Sequence, residues 1–120
     1  MFKKALIKDT SDPEIKTAVY SQIGNAYFYL KDYIAAREYH EKELELALRM
    51  MNQKCQANAF GNLGNTLRAL SQFSEAVDRC QSQLHIWREL GNISGEARAL
   101  YNLGNIFHAK AKDCSSILLG

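Results

Sequence analysis

The stretch at 59–70, AFGNLGNTLRAL, is echoed by ALYNLGNIFHAK at 99–110 and, more loosely, by YSQIGNAYFYLK at 20–31. Gly24, Gly64 and Gly104 therefore recur every 40 residues, each preceded by Ile23, Leu63 or Leu103 and followed by Asn25, Asn65 or Asn105. The same offset pairs Leu30 with Leu70, Tyr33 with Phe73, Ala36 with Ala76, Leu44 with Leu84, Ala57 with Ala97 and Ala59 with Ala99. So many coincidences at one interval identify a tandem repeat, and a repeat dictates the fold before any local propensity is weighed.

Each unit reads as two helices. Phe60, Leu63, Gly64 and Leu67 fall at i, i+3, i+4 and i+7, one face of a helix, and Tyr20, Ile23, Gly24, Tyr27 and Leu100, Leu103, Gly104, Phe107 repeat that face. Turns follow at Lys31-Asp32 and Ser71-Gln72. The second helix opens on Tyr33 or Phe73, and in the second copy its apolar series runs Val77, Cys80, Leu84, Trp87, Leu90. Asn52 and Gly91-Asn92 punctuate the return to the next unit, and Asp12-Pro13 gives an N-cap with proline in the first turn. A glycine inside a helix costs about 1 kcal/mol against alanine. The spacing therefore predicts a helix crossing at Gly24, Gly64 and Gly104, each facing a small residue such as Ala36 or Ala76 on the partner helix. Helix pairs that bury one face on the next pair build an α-solenoid with a concave surface.

Composition excludes several classes of function. The net charge is +2 and no block of like charges stands out, so neither a nucleic-acid partner nor a membrane-surface patch is expected. No apolar run is long enough to span a bilayer. The N-terminus MFKKALIKD carries charge where a secretion signal needs an apolar core. Cys55, Cys80 and Cys114 are widely separated, with no histidine at metal-ligand spacing, so we expect reduced thiols in a cytoplasmic protein with no metal and no cofactor. His40 and His85 have no partner suited to a base–nucleophile pair, and the glycines do not form a phosphate loop, so the chain reads as non-enzymatic. REYHEKELELALR, residues 37–49, reads as a solvated outer face with pairs such as Glu38–Lys42 and Glu45–Arg49.

The Leu-Gly words with aromatic residues at helical spacing, and the alanine twelve residues after the glycine, resemble the tetratricopeptide repeat. The 40-residue period together with AVYSQIGNAYFYLKDY, GNLGNTLRAL and GEARALYNLGNIFHAK resembles the LGN/Pins/Rapsynoid group of G-protein signalling modulators over roughly residues 2–112. The resemblance implies an all-α tetratricopeptide-type solenoid of about two and a half repeats, truncated at both ends. Residues 1–11 would end a preceding second helix, 12–52 form repeat 1, 53–92 repeat 2, 93–112 the first helix of repeat 3, and 113–120 an irregular tail. That last expectation comes from Asp113 and Ser116, which stand where an aromatic residue and an alanine belong. Asn58, Ser82 and Ala111 also depart from the family's habits. In that group the repeats bind extended acidic segments of proteins such as NuMA and Inscuteable, acting in spindle orientation and cell polarity at the cortex. Gα is bound by separate GoLoco motifs, which this chain does not contain, so no Gα contact is expected.

The face of each first helix opposite the core should form the concave wall. It presents Gln22 and Asn25 in unit 1, Asn58, Asn62, Asn65 and Arg68 in unit 2, and Arg98, Asn102, Asn105 and His108 in unit 3. A carboxamide both donates and accepts, so a stack of them suits the backbone of a stretched peptide, and arginine adds paired hydrogen bonds to carboxylates. Two other readings remain: a co-chaperone-type clamp for a C-terminal carboxylate, weakened by Ser21 and Asn58 where bases would help, and a structural or self-association segment.

Overall fold

The computed structural model describes residues 12–119, with side chains through Cys114. Five helices follow one another: α1 Pro13–Tyr29, α2 Tyr33–Arg49, α3 Gln53–Ala69, α4 Phe73–Glu89 and α5 Ile93–Leu119. The first four are each 17 residues long and the fifth is 27. Consecutive helices pair, and α1, α3 and α5 also touch one another across units, so the first helices form a continuous inner wall. The fold is the expected all-α solenoid of antiparallel helix pairs.

The regularity comes from the turns. Lys31, Met51, Ser71 and Gly91 all have positive φ, between 55° and 67°. At each, the residue after it donates its N–H to a carbonyl five residues back: Asp32 to Tyr27, Asn52 to Ala47, Gln72 to Leu67 and Asn92 to Trp87, at 2.8–3.2 Å. This left-handed C-terminal closure satisfies the last carbonyls of one helix. The residue that closes it also caps the next: Asp32, Asn52 and Asn92 accept from Ala35, Cys55 and Gly95 N–H, with Asp12 doing the same for Glu14. Gln72 alone makes no such side-chain cap.

Buried residues join the pairs into one core. Leu44, Ala59 and Leu63 cluster between the first two units. Ala57, Leu84, Ile86, Trp87 and Ala99, and then Leu67, Ala76, Cys80 and Ile106, tie unit 2 to α5.

Three expectations need correction. Residues 113–119 are helical, continuing α5, and do not form an irregular tail; no proline or left-handed turn interrupts the chain there, so nothing stops the helix. Gly24 and Gly64 lie at crossings, but alanine is not what presses closest on them. A Cβ on Gly24 would lie 2.5 Å from the His40 ring, and one on Gly64 would strike the Cys80 sulfur and lie 3.5 Å from the Ala76 carbonyl oxygen, with Ala36 and Ala76 fully buried one turn before His40 and Cys80. Gly104 meets nothing within 4 Å among the described residues. Finally, 37–49 is not wholly solvated: His40 and Glu43 are 1% and 3% exposed. Glu45–Arg49 is paired as expected, whereas Lys42 lies over the Tyr39 ring, 4.9 Å from its centre. Residues 1–11 lie outside the described residues.

Two predictions follow from the packing. Gly64→Ala should lower stability by about 1–2 kcal/mol, the overpacking cost less the helix gain. Gly104→Ala should instead raise it by up to about 1 kcal/mol. Urea unfolding at low protein concentration checks the contrast. The second concerns Cys80, whose thiol burial pushes up to about 11 from 9.0, an effect tempered by the Arg68 guanidinium. The unfolded thiol ionises above about 9 while the native one holds its proton, so stability present below pH 9 should decline between 9 and 11. Comparing unfolding free energies of the parent and Cys80→Ala across that range isolates the slope.

Candidate peptide-binding groove

The inner wall encloses two adjoining concavities. The first, of about 700 Å³, is lined by Gln22, Asn58, Asn62, Asn65, Arg98 and Asn102 among others. The second, of about 410 Å³, takes in Asn25, Asn62, Asn65, Arg68, Asn102 and Asn105. Asn62, Asn65, Tyr101 and Asn102 border both. The fold thus brings nine of the ten expected groove residues onto one surface; His108 is exposed and borders neither concavity.

The asparagines divide into two kinds. Asn62 donates from Nδ2 to Ser21 Oγ at 3.1 Å and to the Glu43 carboxylate at 3.3 and 3.5 Å. Asn102, its counterpart in the next unit, donates to Gln83 Oε1 at 3.4 Å. These first asparagines therefore tie each inner helix to the outer helix of the preceding unit, and only the remainder of the amide faces the groove. Asn25, Asn65 and Asn105, the last letters of the repeated word, are half-buried on the wall and make no side-chain hydrogen bond to another described residue. Residues 43 and 83 are the same register position, and both are buried polar groups beside a crossing. The offset of 40 that revealed the glycines would also have revealed this pair.

The floor has a distinct electrostatic layout. His40 Nδ1 and Glu43 Oε1 lie 2.9 Å apart, with Glu43 under the first concavity and His40 under the second. Glu14 adds a second carboxylate to the first, and Arg98 stands at its far side, its guanidinium 5.7 Å from the Trp87 ring centre. Among the described residues, the second concavity contains Arg68 and no carboxylate. Arg68 Nε is buried and has no hydrogen-bond partner among the described residues. Tyr101, 71% exposed, rises between the two concavities at the register of Ser21 and Gly61; sequence reasoning missed it because no repeated residue type marks that position. Cys55 also lines the first concavity, 3.9 Å from the Thr17 hydroxyl. Among the described residues no group of His, Cys, Asp and Glu could hold a metal ion, and no helix is long and apolar enough to cross a membrane.

The profile of the tetratricopeptide repeat matches residues 16–79. The chain belongs to the tetratricopeptide-repeat family. Human G-protein-signaling modulator 1 is 50% identical over 69 residues, 58% of this chain and 10% of the relative. The mouse protein of the same name is 49% identical over 62 residues, 52% of this chain and 9% of its own length. The matching stretch thus spans about a tenth of these curated relatives. As a tetratricopeptide segment of this kind, the chain is a protein-interaction scaffold.

Proposed function

We propose that the inner wall binds an extended, acidic peptide segment of a partner protein, and that the chain catalyses no reaction. The observation that carries this reading is Arg68, whose buried Nε finds no partner among the described residues, on the wall of a concavity that they line without a carboxylate. A buried donor left without an acceptor costs about 1–3 kcal/mol, and a ligand carboxylate supplies the missing acceptor through the paired geometry that arginine favours. Asn25, Asn65 and Asn105 beside it offer amide groups to peptide backbone without regard to side chain. Glu14 and Glu43 repel negative charge from the first concavity, so the ligand's acidic residue belongs over Arg68 and the segment lying past Glu14 should be neutral or basic. Partners of this description include NuMA- and Inscuteable-like proteins, which would give the chain a part in cortical G-protein signalling, spindle orientation and cell polarity, in the cytoplasm and without direct contact to Gα.

Fluorescence anisotropy with a labelled acidic peptide at two salt concentrations tests the reading. Binding that weakens with salt and depends on Arg68 supports it. An affinity unaltered by Arg68→Glu together with Arg98→Glu removes it.

A further inference from the structure

The joint between α4 and α5 departs from the repeat at three positions together. Where the joint between α2 and α3 has Ala47, Cys55 and Asn58, this one has Trp87, Gly95 and Arg98. The first two exchanges compensate in volume: a Cβ on Gly95 would strike the Trp87 ring, so the indole occupies the room that the glycine vacates. Filling space does not call for tryptophan. Its Nε1 is buried and has no hydrogen-bond partner among the described residues, a loss that leucine or phenylalanine would avoid. What the indole adds is a π face, and the Arg98 guanidinium lies over it, 5.7 Å from the ring centre. Trp87 is 3% exposed, whereas Arg98 is exposed and forms no ion pair among the described residues. That exposure belongs to the register: Ala18 and Asn58, the counterparts of Arg98, are exposed on the same concavity.

We propose that Trp87 is a positioning residue for Arg98: the buried indole holds the guanidinium at the wall of the first concavity, where it takes a second carboxylate of the bound peptide. The proposal rests on the groove reading above. A free arginine on a helix surface samples many rotamers and loses that freedom on binding. One held on an indole has lost part of it already, and its N–H groups keep their capacity for a carboxylate, because a π face takes none of them. Glu14 lines the same concavity from α1 and Arg98 from α5, so the wall is negative at one end and positive at the other. An extended peptide crossing from α1 to α5 therefore carries this carboxylate at its α5 end, distinct from the acidic residue over Arg68. Asn58 leaves the same register position uncharged on α3, so this second contact is confined to the joint where tryptophan, glycine and arginine occur together.

The test uses the whole 120-residue chain and an acidic peptide without tryptophan, together with variants of it in which single glutamates are replaced by glutamine. Trp87 is the chain's one tryptophan, so its emission reports on this joint alone. Peptide binding, followed separately by the anisotropy of a labelled copy, should shift that emission in the parent and leave it unmoved in Arg98→Gln. Arg98→Gln should weaken binding by about three- to five-fold, and one of the glutamine-bearing peptides should bind parent and variant alike. Trp87→Phe, which keeps a π face, should stay within about two-fold of the parent. Trp87→Leu should lose as much as Arg98→Gln, and nothing more when the two are combined. An additional loss in the combined variant gives the tryptophan a purely structural part and overturns the proposal, as does parental emission that bound peptide leaves unmoved. Should Trp87→Leu fail to fold by circular dichroism, the emission and Arg98→Gln arms decide. Binding that depends on Arg68 but on neither Arg98 nor Trp87 overturns the proposal and leaves the groove reading in place, whereas absence of any binding removes both.

Discussion

Replacing Glu43 by leucine is expected to lower the stability of the chain by about 2–5 kcal/mol, since it leaves two hydrogen-bonding partners unsatisfied at about 1–3 kcal/mol each. The carboxylate is 3% exposed and serves two partners at once, His40 on its own helix and Asn62 on the next unit. Leucine has similar bulk, so the loss comes from leaving the His40 imidazole and the Asn62 amide without their shared partner. Glu43→Gln is expected to cost less than about 1 kcal/mol, because Gln83 accepts from Asn102 at the matching joint one unit later. Urea unfolding of both variants separates the two outcomes. Equally small losses would mean that the side chain matters for volume alone, and that the joint between units is not held by these hydrogen bonds.

The second large effect is on binding. Arg68→Glu is expected to weaken an acidic peptide by about 2–3 kcal/mol, roughly 30- to 150-fold, since it replaces a buried donor by a like charge. Arg98→Glu should do less, because Arg98 is exposed and its field is screened by salt. The salt dependence of the double variant is therefore the more informative measurement: a flattened slope with a lower affinity identifies the arginines as the charge readers. A peptide with its acidic residue moved toward Glu14 should bind more weakly than one that places it over Arg68.

The repeat was legible because packing constrains it. Ile23, Leu63, Ala36 and Ala76 are buried where any other size would leave a void or a clash, so the same residue type returns every 40 positions and betrays the fold. The crossing partners were not legible, since His40 and Cys80 share a location but no chemistry; only the space beside the glycine is common to them. The groove was half legible. Periodicity places Asn62 and Asn65 toward one side of α3, but three residues of helix separate them by most of a turn. That rotation decides which amide meets the outer helix and which meets the groove. The continuation of α5 is not legible for a different reason: the repeat is lost at Asp113 and Ser116, yet a helix needs only an unbroken backbone and not the repeat's packing partners.

The four closed turns have a consequence for how such a chain lengthens. Each helix and turn is a self-sufficient piece of 20 residues, 17 helical and three linking, in which the terminal backbone groups are satisfied locally. Inserting or deleting one such piece would leave every turn intact, yet it would place outer-type helices on the inner wall and bury the asparagines against the next pair. Geometry counts in twenties and recognition in forties. Growth or loss of this array without destroying its groove is therefore confined to even numbers of helices.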